Sequence, residues 1–444
     1  MKKLIAALMA AGLIATVMIG CGNSGTDQAA GSGATTDAGS GASDTADTNG
    51  EDRVLTLLHY FDPHDSGDPY SVGFMALLDK FYEETGIAVN LETVPWNEIE
   101  SVLVMTNLSG SPSADMSWVG SQHLASLVNA GTLRPLNDFF DSIDTSDFIP
   151  TALEAAVHPG TGNKYIAMTS VHSRGLWYNR ELVDAAPANW DELIETAVAA
   201  TDSDTNTFGF AAFTPRAHDP MELYVGPWAW STGAVLGNDD GSAAWDNEGV
   251  QRAIQMVSDL RNVHQVMPES SFVSDRVEIL ESFLNGNIAM ILEGTFAYAP
   301  IMESALGQSG NIGFAPIPGA YGPAPGFTNG WSMAIPSNSA QPELAMEFMR
   351  FMLRPDVQVM HSMFDGGLPI LNESFEDDFF AEALLPEIID NLRNNGSTMD
   401  PFVYYVEALG AISLVNVSFA LDPSQDLAEM LAESVRDFNR MYYE

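Results

Sequence analysis

The chain has 444 residues, 46% of them hydrophobic, with one cysteine and 60 acidic against 17 basic residues, a formal net charge of −43. A field of that sign disfavours nucleic acid and anionic surfaces as partners. One cysteine rules out an internal disulfide, and the length exceeds what a single hydrophobic core usually serves.

The first residues read as a processing signal. Lys2 and Lys3 precede an uncharged apolar run over 4–19, followed by Gly20 and the single cysteine, Cys21. A basic start, an apolar middle and small residues before a cut make a secretory signal over 1–20. The run is short for a membrane-spanning helix, which needs about 20 residues. A thiol directly after the cut is where a bacterial lipoprotein receives its diacylglycerol. Cys21 is therefore the expected lipidation site, tying the chain to the outer face of the cell membrane. Residues 21–52 are almost wholly Gly, Ser, Thr, Ala, Asp and Asn. They have no apolar periodicity, so a disordered tether is expected, with a span of roughly 30 Å for about thirty residues.

Order is expected from residue 53. The spacing predicts a buried strand over 54–60, then a helix carrying Phe74, Leu77, Leu78 and Phe81 that stops at Gly86. Strands over 87–94 and 114–119 alternate with helices over 98–108 and 123–129, the last closed by Gly131. This alternation argues for an α/β lobe with a mostly parallel sheet. Further strands are predicted over 164–169, 175–178, 208–213 and 289–292. Helices are predicted over 190–200, 248–263, 276–284, 340–353 and 425–442. Two α/β lobes are the simplest sum, with the chain crossing between them more than once.

The acid is spread along the whole chain, and after the leader only Lys80 and Lys164 remain as lysines. A cationic ligand is one explanation. A saline habitat is the other, since a dense carboxylate surface stays hydrated in brine while salt screens its self-repulsion. Scarcity of lysine favours the habitat, because a cation site needs only a local acidic cluster.

Six segments in order resemble one family, the extracellular solute-binding proteins (family 1) that feed sugars to ABC importers, of which maltose-binding protein is the type. They are Phe81-Tyr82-Glu83-Glu84-Thr85-Gly86-Ile87; Ala114-Asp115-Met116-Ser117-Trp118 with Ala130-Gly131-Thr132-Leu133; Gly175-Leu176-Trp177-Tyr178-Asn179; Phe283-Leu284-Asn285-Gly286 with Glu293-Gly294; Gly313-Phe314-Ala315-Pro316; and Gly330-Trp331-Ser332-Met333. The C-terminal stretch matches more loosely, through Gly366-Gly367-Leu368-Pro369-Ile370. The resemblance implies an α/β fold: a two-lobed periplasmic-binding-protein clamp of type II, each lobe a mixed sheet flanked by helices, with the ligand cleft between lobes. On that plan residues 53–169 with 319–355 form the N-terminal lobe, and 170–318 with 356–444 the C-terminal lobe. Lobe closure selected by ligand would then alter the shape offered to a permease.

Binding, rather than bond-making, is the chemistry implied. A sugar offers apolar ring faces to aromatics and hydroxyls to planar polar groups. In open α/β lobes the ligand lies beyond the carboxyl ends of the strands. Candidates there are Tyr60 and Asp62 after the first strand, and Gly120, Ser121 and Gln122 after the third. His172 and Arg174 lie in the segment that crosses between lobes. The family positions implied by the resemblance add Glu222, Trp228, Trp230, Phe296, Tyr298, Gly330, Trp331 and Gly367, with phenylalanine at 296 where tryptophan is more usual. His172 and Arg174 tilt the expected solute toward an acidic sugar among oligosaccharides, monosaccharides and uronates.

No Gly-x-Ser-x-Gly, His-Glu-x-x-His or phosphate-loop motif occurs, and with 60 acids paired carboxylates carry no information. An enzyme is the weaker alternative, alongside a sensor subunit and a binding protein for a peptide or metal. Tyr404-Tyr405 and Tyr442-Tyr443 invite the metal reading, but they fall beside apolar helical patterns that suit packing. The chain is expected to be a monomer without metal or cofactor, partnered by a carbohydrate, a permease and, through Cys21, a membrane.

Overall fold

The computed structural model describes residues 53–111, 114–214, 221–238, 240–397 and 404–444. The signal over 1–20, Cys21 and the tether lie outside the described residues. The strands in chain order are β1 (Val54–His59), β2 (Ala88–Thr93), β3 (Met116–Gly120), β4 (Ile166–Met168), β5 (Arg174–Asn179), β6 (Met290–Gly294), β7 (Ile312–Ala315), β8 (Gly326–Phe327), β9 (Trp331–Ala334) and β10 (Gly396–Ser397). The longer helices are α1 (Pro69–Thr85), α2 (Ile99–Ser109), α3 (Trp190–Ala200), α4 (Glu248–Asn262), α5 (Arg276–Leu284), α6 (Pro342–Met352), α7 (Pro355–Asp365), α8 (Leu385–Asn395), α9 (Tyr405–Leu421) and α10 (Leu427–Tyr442).

Two sheets carry the architecture, one in each lobe. The first has the order β2-β1-β3-β9-β4. β1 runs parallel to β2 and β3, and β9 is the one strand opposed to its neighbours. The second has the order β6-β5-β7, with β5 antiparallel to both. Residues 208–213, expected as a strand, contribute only isolated parallel bridges, from Phe208 to Ile288 just before β6 and from Ala211 to Ile291 within it. The ladder is interrupted because the Phe210 amide between them donates to the Val266 carbonyl at 3.2 Å.

Local chemistry sets the elements. The Asp68 side chain accepts from the Tyr70 and Ser71 amides and caps α1, Pro69 sits in its first turn, and Gly86 ends it with φ 69°. Its buried face is Ser71, Phe74, Leu77, Leu78 and Phe81, the face that the periodicity predicts. α5 begins with a reciprocal cap between Asp275 and Glu278. α9 escapes a periodicity search because it is apolar nearly all round, with Leu409, Ile412, Val415 and Phe419 on its buried face and Leu414 and Leu421 on its exposed one.

Alternation along β5 separates the cores. Trp177 joins Ile291 and Phe314 in a cluster continuous with the first sheet, where Leu57, Trp118 and Met333 lie. Leu176, Met290 and Leu292 face a second cluster built with α4, α9 and α10.

Three segments run side by side between the sheets. In residues 169–173 the Thr169 amide donates to Trp331 and the His172 amide to Asn329, at 2.9 and 2.7 Å, while Val171 and Leu368 exchange both bonds. The fully buried Gln358 of α7 ties two of these segments, donating to Thr169 and accepting from the Ile370 amide. The exchange points differ from those expected. Residues 319–327 stay with the second core, where Ala324 and Phe327 are buried. α7, beyond the expected boundary at 355, places Val357 and Val359 in the first core, and its Phe364 meets Tyr70 and Phe74 of α1.

Candidate functional site

The carboxyl edge of the first sheet supplies an aromatic wall. Tyr60 follows β1, and Trp331 opens β9 opposite Gly120, the last residue of β3. Their rings stack at 4.5 Å between centroids and 26° between planes. Burial holds the Tyr60 and Tyr70 hydroxyls well above their ordinary pKa, so both remain donors. The Ser121 amide donates to the Gly330 carbonyl at 3.1 Å. Gly330 is required by close approach, since a Cβ there would lie 1.9 Å from the Ser170 carbonyl. Gly120, Gln122 and Trp331 line one small cavity with Trp96 and Asn97.

The second lobe supplies ionic groups. Arg174 opens β5 opposite Gly294, at the end of β6. Its guanidinium donates to Glu222 at 3.2 Å and to the His172 carbonyl at 3.2 Å, and both charged side chains are buried. Asn329 donates to the same Glu222 oxygen at 3.2 Å. Arg174 lies 5.3 Å from the Phe296 ring and 5.5 Å from Phe327. Arg276 covers Phe296 more closely, at 4.2 Å, and reaches Glu293 at 3.6 Å. Phe296, expected as a stacking surface for a solute, is thus a platform for two guanidiniums.

His172 and Asp365 lie at the crossing segments, between those two sides. The His172 Nε2 is 3.8 Å from an Asp365 carboxylate oxygen, and the two side chains are 8% and 2% exposed. Burial, with opposition from Asp365, brings the His172 pKa down to about 4, so the ring is neutral at physiological pH. Its edge meets Phe296 at 5.6 Å. Gly367 belongs here, because a Cβ would meet Asp365 at 2.5 Å and His172 at 3.1 Å.

The structure therefore brings together Tyr60, Gly120, Ser121, Gln122, His172, Arg174, Glu222, Phe296, Gly330, Trp331 and Gly367. Four expected residues stand apart. Asp62 is exposed and caps its own loop, accepting from the His64 amide at 2.8 Å. Trp228 is 1% exposed among Trp190, Phe210 and Tyr224, a core position dictated by its packing. Trp230 is half-buried against Phe327, at 6.4 Å. Tyr298 lines a separate small cavity under Gly366, where burial pushes its hydroxyl up to about 12. Asn329 and Asp365 were not anticipated, although each directly precedes a flagged glycine motif. The tyrosine pairs pack instead of converging on an ion: Tyr404 meets Tyr442 at 4.6 Å and Tyr443 at 6.0 Å, while Tyr405 is buried.

Two lobes joined by three strand-like crossings, with aromatic and ionic groups gathered where they meet, define a two-lobed binding protein of the periplasmic type. The chain belongs to the bacterial extracellular solute-binding protein family, which matches residues 67–359, and that membership places it outside the cytoplasm. A binding protein of Brucella abortus is 27% identical over 323 residues, 69% of this chain and 76% of the relative. The erythritol/L-threitol-binding protein of Mycolicibacterium smegmatis is 23% identical over 343 residues, 70% of each chain. Among solved structures, maltose-bound MalE3 of T. maritima superposes with a TM-score of 0.75 at 20% identity, covering 87% of this chain and 99% of that one.

Proposed function

We propose that this chain is the carbohydrate-capturing lipoprotein of an ABC importer. It takes a sugar or polyol from outside the cell, closes its lobes around it and presents the closed form to a membrane permease. Cys21 carries the lipid that anchors it to the cell membrane, and residues 21–52 act as the leash. Family membership supports solute capture, and the two named relatives with stated ligands, a polyol-binding protein and a maltose-bound one, support the solute class.

The observation that carries the reading is the stacked Tyr60–Trp331 pair at the strand ends, opposite the Arg174–Glu222–Asn329 set. An aromatic face suits the C–H face of a sugar, and planar polar groups suit its hydroxyls. The polar set belongs to the second lobe and the aromatic pair to the first, so a solute touching both favours closure over opening.

A thermal-shift panel in molar NaCl tests this, with neutral sugars, polyols, acidic sugars, amino acids and iron(III). A ligand at about 100 times its Kd adds about 2.7 kcal/mol of stability. A rise with a sugar or polyol that is recovered chemically unchanged is expected. A rise confined to amino acids or iron, or hydrolysis of the sugar, would overturn the reading.

A further inference from the structure

The site contains one carboxylate that its neighbours do not satisfy. The Asp365 Oδ2 atom is buried and has no hydrogen-bond partner, and the His172 ring lies 3.8 Å from it. His172 Nδ1 is likewise buried without a partner. A buried charge of this kind is expensive unless something donates to it. None of the described groups around it makes a hydrogen bond to that oxygen. Burial keeps His361 and His172 neutral. Burial first, with the field of Asp365 among the further causes, holds the Tyr60 and Tyr70 hydroxyls above their ordinary pKa.

The other charges among the described residues of the site are paired. Arg174 is in contact with Glu222, and Arg276 with Glu293. Among the described residues Asp365 is therefore the surplus charge, two guanidiniums standing against three carboxylates. It sits at the end of α7, where the chain enters the third crossing segment, beside His172 of the first.

We propose that Asp365 sets the charge class of the solute: the cleft takes an uncharged sugar or polyol that donates a hydroxyl to this carboxylate, and it rejects acidic sugars. A hydroxyl answers both groups, donating its proton to Asp365 while accepting from the N–H of the neutral His172 ring. A carboxylate on the solute would bring a second negative charge to a site whose guanidiniums are engaged. This reverses the preference for acidic sugars that His172 and Arg174 suggest in the sequence, and it rests on the carbohydrate reading above.

The test is a set of matched pairs titrated against the full-length protein at fixed salt: glucose and glucuronate, maltose and maltobionate, ribitol and ribonate. The neutral member of every responding pair should bind at least about tenfold more tightly than its acid. D365N should weaken the neutral ligand by about ten- to hundredfold and narrow the gap to the acid. An acid that binds as tightly as its neutral partner overturns the inference while leaving carbohydrate capture intact. So does a folded D365N with unchanged affinity and unchanged preference. If D365N does not fold, the wild-type ratios decide the matter alone. A response from none of the pairs in a protein that binds some other solute class overturns the carbohydrate reading and this inference with it.

Discussion

The two sides of the cleft are built from different chemistry. On the first lobe, Tyr60 and Trp331 meet through ring faces, and both remain half-buried. On the second, Arg174 and Glu222 are almost wholly buried, and Arg174 lies near two further rings. The first side has adaptable surface to offer a solute. The second is a closed ion pair, whose polar groups are held in place by Asn329 and by Asn391, the latter donating to the Arg174 carbonyl at 2.9 Å. Polar residues near a cleft can thus hold one another in place for a solute's hydroxyls, while the aromatic ones offer it an open ring face.

The largest effect separates these roles. R174A removes the guanidinium paired with a buried carboxylate, so unfolding free energy from urea titration should fall by about 3–5 kcal/mol. A double change, R174M with E222M, should lose much less. Equal losses would mean that the pair is not the stabilising unit of the second side. The crossing between the two sides gives the next effect. His172 has a folded pKa of about 4 against an ordinary 6.5. Below pH 6.5 the unfolded chain takes up a proton that the folded one refuses, so stability should fall as pH drops from 6.5 toward 4. The expected slope is about 1.4 kcal/mol per pH unit for one such group, and H172N should remove that share. An unchanged slope in H172N would take His172 out of the account. The smallest effect is that of salt. Surface acid repulsion should be screened between low salt and molar NaCl, raising Tm, and by the same amount in the R174M/E222M protein, whose lost pair is buried. A flat or falling Tm would contradict the saline reading of the net charge of −43.

Much of the first lobe was legible because its elements obey simple periods. The α1 face, its Gly86 stop and the parallel strands around β1 follow from Phe74, Phe81 and the run at 54–59. α9 was not legible, since apolar residues such as Leu414 and Leu421 also occupy its exposed face and erase the amphipathic signal, and neither was α8 (Leu385–Asn395), which starts with Pro386 in its first turn and no side-chain cap. The site was legible in part. Trp331, Arg174 and Glu222 follow from motif position, whereas Trp228 does not, because an aromatic-rich segment looks the same whether it lines a cleft or fills a core. Asp365 was hidden by composition: one acid among 60 becomes informative only when its missing partner is seen.

Calorimetric titration of two tryptophan variants with the best ligand of the panel tests the account most directly. W331A should remain folded and lose at least about tenfold in affinity, because it removes the aromatic face offered to the solute. W228F should keep wild-type affinity while unfolding about 1–3 kcal/mol more easily, because it alters only the second core. Unchanged affinity in W331A, or lost affinity in a folded W228F, would contradict the division between contact and scaffold on which the account rests.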